Sequence, residues 1–429
     1  MRFRVLLTAV ALLGVACGGD GSTSPAGSAP ASSAPSPGGG NGATFRGVTA
    51  DSIKVGITAV DWDALAAANI RFGRSNSADL YVAALEAVND RGGIHGRTLE
   101  PVVEYFLPIG STDFDRACTS LTEDEDVFVA IGQALDSNVL CFTELHDTAA
   151  VMLTGMTDEL VARSNAPYAT VWSSLENRAA AFVAAMQDAG ALDGATIGVV
   201  GSADVSEIEY RTIVDAFEDA GHDVVEGLLA ANADDILETQ RQQALVFERM
   251  TQAGVDLTVS TTGVPLEIAN AIDAGYTSEH WALATVMTAQ GLTDAGVDQS
   301  YLDGALGVVN TPVGTPAQPM LADDPVASAC VDDLVARTGH LLPYALGAET
   351  NDLVEALYAC SAVAILEEAL LAAGPDLTND SFEAGLGSIG PIDLPGHFEG
   401  RLEPGDLGAA RGLMVVRFDA SSGVWEPVG

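Results

Sequence analysis

The stretch Tyr81–Tyr105, YVAALEAVNDRGGIHGRTLEPVVEY, constrains the fold of this 429-residue chain more than any other, because it encodes a helix, a forced stop and a strand in succession. Tyr81, Val82, Leu85 and Val88 are spaced for one buried helical face, and Ala83, Ala84 and Ala87 keep helix propensity high. Gly92 and Gly93 end the helix, since glycine enters the left-handed region past the last turn without a Cβ clash. Through Ile94-His95-Gly96-Arg97 the chain turns back into a strand expected over Leu99–Tyr105. With Ile53–Ala59 as the strand that feeds the helix, this is one βαβ unit.

The alternation continues along the chain. A helix is expected over Asp113–Asp124, short apolar strands at Val127–Ile131 and Ala150–Leu153, and an extended segment at Tyr168–Ser173 leading into a helix over Glu176–Ala189. Fully apolar runs of this length suit parallel strands covered on both faces. The pattern then restarts with strands at Thr196–Val200, Asp223–Leu229, Asp256–Ser260 and Trp281–Thr285. The intervening helices end in Ala-Gly, at Ala220-Gly221, Ala253-Gly254 and Ala274-Gly275, which is regular left-handed capping of a doubly wound α/β chain.

Charge excludes one class of partner. Acidic residues outnumber basic ones 60 to 18, for a net charge of −42, and such a surface repels phosphate backbones, so no nucleic acid is expected. Lys54 is the sole lysine. No apolar run after residue 17 is read as reaching the roughly 18–20 residues of a membrane helix. The N-terminus differs in kind. Met1-Arg-Phe-Arg followed by apolar Val5–Ala16 reads as a secretory signal. Ending at Ala16-Cys17, it resembles a bacterial lipoprotein signal, which implies a lipidated Cys17 as the mature N-terminus. Residues 18–43, almost entirely Gly, Ser, Pro and Ala, read as a flexible tether. The expected contact with a membrane is through that N-terminal lipid only.

The spelling Asn89-Asp90-Arg91-Gly92-Gly93-Ile94-His95-Gly96-Arg97, after an Ala-rich helix and before an apolar strand, resembles the first-lobe motif of type I periplasmic binding proteins. The nearest subgroup is the branched-chain amino acid substrate-binding proteins of ABC importers. The resemblance implies two doubly wound Rossmann-like lobes joined by a three-crossing hinge. Residues 44–172 with 311–394 would form the first lobe, and 173–310 with 395–429 the second. It further implies a small ligand trapped between the lobes, permease and ATPase subunits as partners, a monomer, no cofactor, and a place on the outer face of the cell membrane.

Candidate ligand groups follow from the strand ends, where open α/β sheets collect binding residues. After the first strand stand Asp61 and Trp62. The family's carboxylate-holding turns fall here on Gln133, Asp136 and Ser137, and on Gly155, Met156 and Thr157. In the second lobe the corresponding turns carry Asp204, Ser206, Thr262, Gly263 and Met287. Asp136 departs from the expected hydroxyl, and small residues replace the aromatics common in the first two second-lobe turns. Asp136 would repel a carboxylate and so speaks against an amino-acid ligand, the small residues imply a roomier pocket or a different ligand, and the acidic candidates suggest an amine or amide group on it.

Four cysteines besides Cys17 allow three pairings in an oxidising compartment; sequence proximity favours Cys118–Cys141 and Cys330–Cys360 over crossed bridges or free thiols. His95 and His146, among six scattered histidines, form no metal-binding spacing. No P-loop, Gly-x-Ser-x-Gly elbow or dinucleotide fingerprint follows a strand, so no enzyme is expected. The leading reading is a lipid-anchored solute receptor of an importer. A sensor acting on a signalling partner in trans and a secreted α/β hydrolase stand as alternatives.

Overall fold

A computed structural model of the chain describes residues 45–67, 76–108, 112–229, 236–261, 265–284, 297–309, 324–340 and 352–428. The first half runs β1 (Ser52–Val60), α1 (Trp62–Ala67), α2 (Ala78–Asp90), β2 (Thr98–Phe106), α3 (Thr112–Thr119), β3 (Val129–Gln133), β4 (Ala149–Leu153), α4 (Asp158–Arg163) and β5 (Tyr168–Thr170). These five strands form one parallel sheet in the order β2-β1-β3-β4-β5. The second series is α5 (Leu175–Asp188), β6 (Ile197–Ser202), α6 (Ala203–Asp219), β7 (Val224–Leu229), α7 (Ile236–Ala253), β8 (Leu257–Ser260), α8 (Pro265–Asp273), β9 (His280–Leu283) and β10 (Leu306–Val309). The chain then adds α9 (Pro325–Thr338), α10 (Asp352–Ala373) and α11 (Asn379–Ser388). It ends in β11 (Gly390–Ile392), β12 (Glu399–Leu402), β13 (Ala410–Arg411), β14 (Met414–Asp419) and β15 (Val424–Pro427). The second sheet reads β15-β14-β10-β9-β8-β6-β7, with β14 and β15 antiparallel at one edge.

This is the two-lobe α/β architecture expected from the sequence. Helices cover both faces of each sheet, which is why the inner strands read as unbroken apolar runs. In the first lobe α2, α10 and α11 bury one face and α1, α3 and α4 the other. In the second, α5 and α6 lie on one face and α7 and α8 on the other.

The 81–105 stretch carries more than helix, stop and strand. Gly93 sits at φ 64°, and a Cβ there would lie 2.0 Å from the Arg97 carbonyl oxygen. Asn89 clamps helix to strand: its Oδ1 accepts from Leu99 N–H at 2.7 Å and its Nδ2 donates to Leu99 O at 2.9 Å. Arg97 is 1% exposed, and its guanidinium donates to Thr49 O (2.8 Å) and Pro375 O (2.7 Å), tying the turn to two remote segments.

Two readings need correction. The helix expected over Asp113–Asp124 stops being α-helical at Thr119 and finishes as a wider π turn over Ser120–Asp124. Against the reading that no apolar run is long enough, α10, at 22 residues, is long and apolar enough to cross a membrane. Its apolarity has another cause: α2, α9, α11, β3 and β4 all pack against it, so 61% of its most apolar stretch is buried inside the protein. Both favoured disulfides are present. Cys118–Cys141 joins α3 to the segment after β3, and Cys330–Cys360 joins α9 to α10.

The third crossing is anchored before it reaches the second sheet. Leu402 and Ala409 are buried in the first-lobe core. Residues 407–410 run along β5 and its continuation: Thr170 N–H donates to Leu407 O (3.1 Å), Ala409 N–H to Thr170 O (2.9 Å) and Ala410 N–H to Val171 O (3.1 Å). Gly408 makes that approach possible, since a Cβ there would lie 2.5 Å from the Ser174 nitrogen.

Candidate ligand-binding site

Strand order places the site. In each sheet the chain reverses direction of travel, between β1 and β3 in the first and between β6 and β8 in the second. Loops leaving the carboxyl ends of such neighbouring strands part to opposite faces and leave a crevice between them. Asp61 and residues 134–137 border the first crevice; Ala203 and Thr261 border the second.

Two of the expected ligand groups are occupied by local structure. Asp61 Oδ1 caps α1 by accepting from Ala64 N–H (2.9 Å) and takes a further bond from Asn76 Nδ2 (3.2 Å). Gln133 is locked on both sides: its Oε1 accepts from Val60 N–H (3.0 Å), and its Nε2 donates to the Glu355 carboxylate at 3.0 and 3.3 Å. Glu355, in the first turn of α10, is 0% exposed. Trp62 is half-buried against the core under α1, and Ser137 is exposed in the 3-10 turn Asp136–Val139. The mouth beside β2 is acidic. Burial, followed by the charges of Asp79, Asp61 and Asp63, holds the Tyr105 phenol above its usual range.

The turn after β4 is built differently. Thr170 Oγ1 donates to Thr154 O (2.8 Å), Tyr168 OH to Gly155 O (2.9 Å), Leu175 N–H to Met156 O (2.8 Å) and Val161 N–H to Thr157 O (3.0 Å). Thr157 Oγ1 caps α4 by accepting from Leu160 N–H at 3.2 Å. All four carbonyls are thereby held by the protein. The N–H groups of Gly155, Met156 and Thr157 donate to no group among the described residues, and Thr154 Oγ1 is buried without a hydrogen-bond partner. A turn in this state presents donors and has its acceptors already satisfied, so it suits a carboxylate or carbonyl oxygen.

This turn also meets the other lobe. A Cβ on Gly155 would lie 2.8 Å from Leu175 of α5, and Asp158 N–H donates to Glu176 Oε1 at 2.9 Å. Ile208 of α6 packs on the first-lobe core that contains Met156 and Leu160. Asp204 and Ser206 fall in the opening turns of the same helix, on the side of the chain that follows β6. Thr262, Gly263 and Met287 lie outside the described residues, as does Cys17.

Sequence reasoning missed the charged groups at the junction. Arg178 of α5 pairs with Glu209 of α6, each side chain only 14% exposed. Burial pushes the Arg178 guanidinium down to about 10, with Tyr358 of α10 opposing that shift. Tyr358 stacks edge-on with Trp172, their centroids 6.1 Å apart, at the first crossing. The signal available was the placement of Asp352, Glu355 and Tyr358 at the start of a largely apolar helix whose other acidic residues, Glu367 and Glu368, stand more than two turns further on.

Among the described residues one grouping brings metal-ligand atoms together: Cys118, Cys141 and His146, within 4.8 Å of one another. The two sulfurs are joined to each other, so no thiolate is present to bind an ion.

The fold and the paired crevices define a periplasmic binding protein, and the family model for periplasmic binding proteins matches residues 74–423. The chain belongs to that family, in its type I two-lobe form, and the family is one of binding proteins. No curated protein matches by sequence. Among solved structures it is similar to a possible leucine/isoleucine/valine-binding protein from Rhodopirellula baltica (14% identity, TM-score 0.64, covering 88% of this chain and 96% of that one). It is similar too to a solute-binding protein of an ABC transporter from Rhodopseudomonas palustris in complex with p-hydroxybenzoic acid (14%, 0.61, 87% and 95%). A third is the fatty acid ABC transporter substrate-binding protein from Thermomonospora curvata (16%, 0.59, 90% and 93%).

Proposed function

We propose that this chain is the extracytoplasmic solute-binding protein of an ABC importer, anchored by a lipid on Cys17, and that it closes two lobes on a small ligand bearing a carboxylate or carbonyl oxygen. The single observation that supports this ligand class is the turn at 154–157, where four carbonyls are satisfied while the N–H groups of Gly155, Met156 and Thr157 and the Thr154 hydroxyl find no partner among the described residues. Similarity to binders of leucine-type, hydroxybenzoate and fatty-acid ligands accords with an oxygen acceptor at that position.

In this reading residues 44–172 and 311–410 form the first lobe, because Leu402 and Ala409 lie in its core and move the expected boundary on from 394; residues 173–310 and the final strands β14 and β15 form the second, and the third crossing pivots near Gly412. Ligand binds the closed form more tightly than the open form, and that difference drives closure. Asp136, Ser137, Asp204, Ser206, Thr262, Gly263 and Met287 remain candidates for the ligand's other end. Asp61 and Gln133 act beneath the site, holding the turns after β1 and β3 in place. Permease and ATPase subunits would read the closed form.

The test is a thermal-shift screen against amino acids, aromatic acids, fatty acids and amides, followed by titration of the best hit into Thr154→Val. This near-isosteric change removes a hydroxyl that has no protein partner, so the fold should be unharmed and affinity should fall about fivefold or more. Wild-type affinity in the variant would remove the 154–157 turn from the site. Turnover of the hit would support the hydrolase reading instead.

A further inference from the structure

The two disulfides sit in opposite surroundings. Cys118 is 0% and Cys141 8% exposed, both inside a core that includes Phe114, Leu121 and Phe142. Cys360 is itself buried, at 4%, but Cys330 is half-buried, and both line a groove of about 470 Å³ between α2, α9 and α10. Ala87, Val88, Ala329 and Ala364 make its walls apolar. Its rim is held by ion pairs from Arg91 to Glu367 (2.6 Å) and from Arg337 to Asp90 (2.9 Å) and Asp333 (2.7 Å).

We propose that Cys330–Cys360 is a thiol-exchange site, reached through this groove, whose reductant is a small neutral dithiol. A groove of this volume admits such a molecule. With three carboxylates against two guanidiniums at the rim, an anionic thiol is disfavoured. One donor thiolate attacks the sulfur of Cys330, the more exposed residue of the two, forming a mixed disulfide and expelling Cys360 as a thiolate that takes a proton from water. The donor's second thiol, losing its proton, then displaces Cys330 as a thiolate, which is protonated in turn. The donor leaves as a cyclic disulfide, and the protein bond has gained two electrons and two protons. Cys118–Cys141 exchanges only when its core opens.

The site has a structural consequence. α9 is the helix on which the chain re-enters the first lobe, capped by Asp324, whose Oδ1 accepts from Val326 and Ala327 N–H and whose Oδ2 accepts from Gly396 N–H at 3.1 Å. Reduction leaves that helix held to α10 by packing alone, so the bond's redox state sets how firmly the re-entry is fixed.

The experiment treats the native oxidised protein with dithiothreitol, quenches with iodoacetamide at intervals and maps alkylated peptides by mass spectrometry. Cys330 and Cys360 should be labelled together, at least ~10-fold faster than Cys118 and Cys141, because only one pair is open to attack in the folded state. Equal rates for all four cysteines, prior opening of Cys118–Cys141, or no labelling before denaturation would each overturn the proposal. Ala329→Trp, which fills the groove from α9, should slow labelling of the Cys330–Cys360 pair at least ~3-fold at unchanged melting temperature. An unaltered rate in that folded variant would show that access does not run through the groove.

Discussion

Gly408→Ala would test whether the first and third crossings are one unit. The added Cβ would lie 2.5 Å from Ser174 N, 3.0 Å from Ser173 C and 3.2 Å from Ser173 Cα. All three are backbone atoms, so no side-chain rotation relieves the clash. Restoring an ordinary contact of about 3.4 Å to the nitrogen requires a displacement of about 0.9 Å (3.4 − 2.5). That movement strains the bonds joining Thr170 and Val171 to Leu407, Ala409 and Ala410, and it disturbs Ser174, whose Oγ caps α5 by accepting from Asn177 N–H at 3.2 Å. Overpacking of this kind costs about 1–3 kcal/mol, and the loss of a cap adds about 1 kcal/mol if Ser174 is displaced. For a globular part this large, the melting temperature should fall by about 3–6 °C. Differential scanning calorimetry of the wild type and variant reads it directly. A variant melting within about 1 °C of wild type would mean that 407–410 and 173–174 move apart freely, and the stitched hinge would be wrong.

Two further changes probe the buried charges. Glu209→Gln leaves the Arg178 guanidinium without its counter-charge in a site where burial already lowers it to about 10, and removing one partner of a buried pair costs about 3–5 kcal/mol, read as lost stability in urea unfolding. A loss below about 1 kcal/mol would show that the pair is solvated. Alkaline titration followed by phenolate absorbance should show Tyr301 ionising late. Burial, with Tyr276 beside it, pushes that phenol up from 10.0 to about 12. Because the folded value exceeds the unfolded one, the associated stability is present below pH 10 and is lost as pH rises toward about 12. Simultaneous ionisation of all eight tyrosines near their usual value in the folded protein would refute the packing around Tyr276, Trp281 and Tyr301.

The scaffold was legible because its determinants are local. Gly93 must be glycine for a reason confined to five residues, its closeness to the Arg97 carbonyl, and the Ala-Gly helix ends of the second lobe are likewise readable in place. The buried anchorage of Arg97 on Thr49 and Pro375 was not, since its partners lie 48 and 278 residues away. The site shows the same division more sharply. Asp61 and Gln133 stand at strand ends and have the right chemistry for ligand contact, yet a carboxylate there serves a helix cap equally well. Only the positions of Ala64, Asn76 and Glu355 decide between the two.

The apolar helix α10 shows why an exception can tell more than a pattern. Its hydrophobicity all round would suit a membrane, but a helix in lipid has no reason to place Asp352 and Glu355 in its opening turn and Tyr358 one turn on. A helix buried in protein does, if that end reaches the crevice, where Glu355 takes both donors from Gln133 and Tyr358 meets Trp172 and Arg178. The polar end of α10 therefore marks where the two lobes meet, and the 154–157 turn, whose unmatched donors among the described residues are three backbone N–H groups and the Thr154 hydroxyl, is the turn proposed to hold the ligand. Backbone donors leave no mark in residue identity, which is why the family resemblance pointed to Gly155, Met156 and Thr157 where residue type alone did not.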